Sequence, residues 1–155
     1  MPVIAQDLIA DLDAGRAELK AAAESLSAEA ALRKPSLGEW SATEILAHAT
    51  EAQNMWIAMA HRILNEDRPT VGRVGEYAAR RLGAVAVDGR KPVAELVSKL
   101  EGDGNELRKL LQSLAPEQLE RKGQHATQGE KSLAGYLTAL ASHLREHAGE
   151  IRRLA

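Results

Sequence analysis

The chain has 155 residues, a formal net charge of −2 and 45% hydrophobic residues. That length supports one domain with a real core, and the near-neutral charge argues against a nucleic-acid surface. Cysteine is absent, which excludes disulfides, thiol catalysis by the chain itself and thiolate metal sites. No apolar run approaches the length of a membrane span, and the first residues carry no basic region or signal-like core, so a cytoplasmic location is expected. Leu and Ala dominate, with no Phe, two Trp and two Tyr, a composition that favours helices.

The first helix is predicted over about residues 4–26, where Ile4, Leu8, Leu12, Leu19 and Leu26 form an apolar stripe. Residues 27–40 read as a connection with Pro35, Gly38 and one short helical turn. The second helix starts at Ser41, because Ser41-Ala42-Thr43-Glu44 fits a capping box, and runs to about Asn65. At 100° per residue, Ile45, Ala52, Met55, Met59 and Ile63 fall within about 60° of His48. His48 therefore lies on the apolar stripe, and His61 lies on the opposite side.

Residues 66–89 are Gly-rich and longer than the usual helix–helix link, with a short helix expected around Glu76 to Arg81. The third helix starts near Lys91, with Pro92 suited to a first helical position. Val93, Leu96, Leu100, Leu107, Leu110 and Leu114 give its stripe, and Gly102 and Gly104 mark a place where it is expected to bend. Residues 115–131 read as another connection. In the fourth helix, from Ser132 onward, Leu133, Tyr136, Leu140, His143, His147 and Ile151 share one face, and Arg145 points away from His143.

A weak internal repeat relates the two halves. Ser25-Leu26-Ser27-Ala28-Glu29 resembles Ser113-Leu114-Ala115-Pro116-Glu117, and Gly38-Glu39-Trp40-Ser41 resembles Gly129-Glu130-Lys131-Ser132. Two similar helix hairpins packed about a pseudo-two-fold axis would run the second and fourth helices antiparallel. That places His48, His143 and His147 at comparable depth.

Residues four apart in a helix lie about 40° apart around the axis and one turn apart along it, so His143 and His147 can share a metal ion. With His48 they make three neutral nitrogen donors, the pattern of a catalytic site with an open position, suited to Zn, with Ni or Fe as alternatives. The competing reading is three core histidines, each satisfied separately. Glu44 reads as a capping residue, Glu150 as solvated rather than supporting His147, and His125 as an exposed loop residue. Trp40 reads as a hydrophobic plug, and Met55, Met59 and Tyr136 as core. No residue stands out as a general base.

Gly38-Glu39-Trp40-Ser41-x-x-Glu44-Ile45-Leu46-x-His48, followed by His143-Leu144-Arg145-Glu146-His147, resembles the DinB/YfiT-like superfamily over essentially the whole chain. The resemblance implies one all-α domain over residues 1–155, a four-helix bundle in up-down-down-up order. It implies a metal site at His48, His143 and His147, and a homodimer. Activities in that superfamily range from transferases and isomerases using low-molecular-weight thiols to metal-dependent hydrolases. The resulting expectation is a metal-dependent thiol S-transferase acting on a small electrophile. A hydrolase or a non-catalytic metal- or ligand-binding stress module are the alternatives. No membrane or nucleic-acid partner is expected.

Overall fold

The computed structural model describes residues 4–155. Four long helices carry the fold: α1 (Ala5–Glu24), α3 (Ala42–Asn65), α5 (Val93–Gln112) and α7 (Leu133–Arg152). Short helices α2 (Ala28–Leu32), α4 (Arg80–Asp88) and α6 (Pro116–Leu119) lie in the connections, with a 3₁₀ turn over Gly75–Ala78. α1 packs on α5 and α7, and α3 packs on the same two helices.

The ends of the helices follow from local chemistry. Ser41 caps α3: its hydroxyl accepts from the Glu44 amide while the Glu44 carboxylate accepts from the Ser41 amide, which satisfies two orphan donors at once. Ser132 caps α7 by accepting from the Gly135 amide. The sequence repeat has a structural counterpart here. α2 and α6 occupy equivalent places, Gly38 and Gly129 both take positive φ (85° and 77°), and Ser41 and Ser132 both start a long helix. Positive φ is costly for residues with a Cβ, so glycine at both positions is a backbone requirement.

Contacts along the helices show their relative senses. His48 meets His147 and Trp56 meets Tyr136, so α3 and α7 run antiparallel. Lys20 pairs with Glu101 and Asp13 with Arg108, so α1 and α5 are also antiparallel. Thr43 bonds the Gly89 carbonyl and Gln53 bonds the Leu100 carbonyl, as parallel α3 and α5 require.

The core is aliphatic, with Leu8, Leu12, Leu46, Met59, Ile63, Leu100 and Leu107 fully buried. One polar chain crosses it. Arg16 donates to Gln53 Oε1 (2.9 Å), and Gln53 Nε2 donates to the Leu100 carbonyl (3.0 Å). Asp13 receives both Arg16 and Arg108. This network ties α1, α3 and α5 together with each buried polar group satisfied, as burial demands.

Gly104 makes room for it: a Cβ there would collide with the Arg16 guanidinium. α5 is assigned as one uninterrupted helix from Val93 to Gln112, so Gly102 and Gly104 do not break it. Packing of Arg16 accounts for the glycine at position 104.

The two connections hold a small sheet that helical periodicity did not reveal. β1 (Thr70–Val71) pairs parallel to β2 (Lys122–His125), which pairs antiparallel with β3 (Gly129–Ser132). It sits over the end of α3 and the start of α7. Arg121 donates to the Ile63 and Glu66 carbonyls at the α3 terminus, and the Tyr136 hydroxyl donates to the Gly123 carbonyl at 2.9 Å.

Candidate metal centre

His48 and His147 come together where the first half of α3 crosses the last half of α7. Their rings meet edge to face with centroids 4.9 Å apart. His143, one turn before His147, stacks at 6.4 Å from it. The groove is flanked by Trp40, whose ring lies 5.4 Å from His48, and by Arg81, whose guanidinium sits 5.0 Å from the Trp40 ring.

The three histidines differ in setting. His48 is half-buried, its Nδ1 is fully buried, and that atom has no hydrogen-bond partner among the described residues. Such an orphan costs on the order of 1–3 kcal/mol. Burial, then the charge of His147, Arg81 and Arg73, pushes the His48 imidazolium down to about 3. His48 is therefore neutral at neutral pH, the form that donates to a metal.

His147 is 15% exposed and its Nδ1 lies 3.1 Å from Glu150 Oε1. The carboxylate accepts from Nδ1–H, which fixes the tautomer and leaves Nε2 as the free lone pair. Burial lowers the pKa of His147 against the opposing pull of Glu150.

His143 corrects the sequence reading. It was expected on a buried stripe, but its side chain is 54% exposed and its Nδ1 turns to Glu146 at 3.3 Å. Among the described residues, no three His, Asp or Glu side chains stand close enough to hold a metal ion. Two of the three candidate donors are therefore brought together. The third lies one turn away on an exposed side chain.

His61 is exposed, as its helical angle predicts. His125 was expected in an exposed loop. It instead lies in β2, stacks on Trp56 at 6.0 Å, and its Nδ1 accepts from the Thr127 and Gln128 amides. Gly72 is part of that arrangement, since a Cβ there would come within 2.5 Å of the His125 ring.

Glu150 was expected to be solvated and instead supports His147. Glu44 caps α3 and binds Lys34. Trp40 does more than plug the helix entrance, because it joins Arg81 to His48. Glu51 was not singled out. It is 6% exposed, lies one turn beyond His48, and forms an ion pair with Arg73 at 2.7 Å. That pair fastens the connection after β1 across α3. A buried Glu preceding a Gly-rich connection is the available signal, but nothing local names its partner.

A bundle with imidazoles facing each other between two antiparallel helices defines a class: four-helix proteins that build sites from side chains on facing helices. The chain belongs to the DinB superfamily, whose sequence model matches residues 11–151. No curated relative matches it in sequence.

Among solved structures it is similar to YfiT from Bacillus subtilis, described as a probable metal-dependent hydrolase with an unusual four-helix bundle topology. The TM-score is 0.80 at 20% identity, over 97% of this chain and 85% of that one. It is also similar to a mycothiol-dependent maleylpyruvate isomerase, with a TM-score of 0.78 at 12% identity, over 96% of this chain. This chain spans 61% of the isomerase. At these identities the likeness is one of fold. No helix among the described residues is long and apolar enough to cross a membrane.

Proposed function

We propose that this protein is a divalent-metal enzyme that holds its metal with His48, His143 and His147 and transfers a low-molecular-weight thiol to a small electrophile. The observation that carries the reading is His48: a neutral imidazole with a buried, unpartnered nitrogen, facing His147 across two helices. Glu150 supports it by accepting from His147 Nδ1–H, which leaves Nε2 as the donor lone pair.

His143 completes the donor set by turning away from Glu146. The set is neutral and all-nitrogen, which suits Zn, with Ni or Fe as the alternatives. When bound, such an ion lowers the pKa of a thiol or water at its open position. The chain has no cysteine, so the thiol must come from outside. That one similar fold belongs to a mycothiol-dependent isomerase and another to a probable hydrolase fits this reading.

The chain's own contribution is to hold neutral His48 in a site walled by Trp40 and to keep the His147 tautomer through Glu150. The test is turnover of 1-chloro-2,4-dinitrobenzene by metal-loaded protein with a panel of small thiols. Sulfur forms the new C–S bond, chloride leaves, and the thiol proton passes to solvent. Thiol-dependent release of chloride supports a transferase. Hydrolysis without thiol would replace it with the hydrolase reading, and no turnover with any electrophile would favour a non-catalytic metal module.

A further inference from the structure

The cavity beside the histidine pair has its own chemistry. It holds about 620 Å³ between the start of α3, the start of α4 and the end of α7. It shares Trp40 and Glu150 with the metal centre and has apolar walls at Ile45, Leu82 and Leu154. Two arginines, Arg81 and Arg153, line it. Neither has a carboxylate within ion-pair distance among the described residues, and of the arginines without one these are the two that line this cavity. The Arg81 guanidinium lies over the Trp40 ring, which orients a planar fork while leaving its N–H groups free to bind.

We infer that this cavity binds the carboxylate end of a small amphipathic ligand, with Arg81 as the residue that recognises it and Trp40 as the platform that holds Arg81. Arg81, with no carboxylate at ion-pair distance and an apolar wall beside it, fits an anion on a short hydrocarbon body. Glu39 and Glu150 also line the cavity and offset the two arginines, so a single negative charge meets less repulsion there than a doubly charged phosphate.

This inference deepens the proposed function by naming the substrate class of the neighbouring site. It rests on that reading only for what the other end of the ligand does. The binding itself needs no metal.

The experiment is therefore done on metal-free protein, with sodium hexanoate as probe and hexan-1-ol as its uncharged match. The indole N–H resonance of Trp40 is followed during titration. Trp56, buried and stacked on Tyr136, is the internal reference. Hexanoate is expected to shift Trp40 saturably and at least about tenfold more tightly than hexanol, the scale of a hydrogen bond to a charged group, with Trp56 unmoved. Arg81→Gln should remove the preference for hexanoate. Arg81 is exposed, so the variant should keep its fold, which circular dichroism checks.

Equal binding of hexanoate and hexanol, or a preference that survives in Arg81→Gln, would overturn the inference. So would a response at Trp56 without one at Trp40, and tighter binding of hexyl phosphate would overturn the carboxylate assignment. Failure of the metal or thiol tests above leaves these outcomes readable, because neither metal nor thiol is present.

Discussion

His48 and His147 meet edge to face at 4.9 Å, yet only His147 has a hydrogen-bond partner for its Nδ1. The asymmetry makes metal content the decisive measurement. His48→Ala, His143→Ala and His147→Ala should each lower metal affinity by more than the ~10–100-fold that loss of an outer-shell partner costs. His61→Ala should retain full metal. His125→Ala should also retain it, but should lower stability by disturbing the Trp56 stack. Metal content by mass spectrometry across the five variants checks this. Loss of metal in His125→Ala with retention in His48→Ala would show that the donor set is drawn wrongly.

Glu150→Gln addresses the tautomer. The amide keeps the shape and loses the charge-assisted bond to His147 Nδ1. Metal affinity should fall by about 10–100-fold with unchanged helix content. Unaltered affinity in competition with a chelator would remove Glu150 from the site.

Two glycines two residues apart, on opposite faces of α5, should respond with opposite signs. At Gly102 a Cβ meets open space, so Gly102→Ala should gain up to about 1 kcal/mol from helix propensity. At Gly104 the same Cβ displaces Arg16 from its bond to Gln53. Gly104→Ala should lose roughly 1–3 kcal/mol. Urea unfolding of both variants measures the difference, and similar midpoints would mean that Arg16 adapts freely.

Acid should weaken the metal-free fold through His48. Its folded pKa, about 3, lies below the unfolded value of about 6.5. The unfolded chain then binds the extra proton between those values, so stability is full above about pH 6.5 and falls as pH drops toward 3. Asp13 acts in the same direction at lower pH. Burial raises its pKa, but the bonds and charges of Arg108 and Arg16 outweigh burial and hold the carboxyl below its usual range. His48→Gln should flatten the upper part of the metal-free stability profile and leave the lower part intact. An unchanged profile would place the titration elsewhere.

We propose that the protein is a homodimer. By helical count Trp56 lies about 80° from His48, at the edge of the core stripe. It is 5% exposed and packed within the chain against Tyr136 and His125, so it supplies no interface. Val87 of α4 is 74% exposed and is an apolar side chain that a second copy would cover. Sedimentation should show a dimer at micromolar concentration that Val87→Glu dissociates. A wild-type monomer would end the proposal.

What the sequence determined by itself was local. The apolar stripes, the Ser41 capping box, the Ser132 start of α7 and the spacing of His143 and His147 all rest on helical period and on hydrogen bonds within one turn. The placement of His48 on a core-facing stripe rests on the same period. Tertiary structure decided what depends on partners far along the chain. A two-residue strand such as Thr70–Val71 has too few residues to show alternation, so the sheet and the stacking of His125 appear only once β2 is beside it. Gly104 looks like a helix defect until Arg16 fills its space. The exposure of His143 differs from that of His147, though both share one helical face, because a helix buries only the arc its neighbours cover. The column of Arg81, Trp40 and His48 joins three separate elements, and no spacing along the chain encodes it.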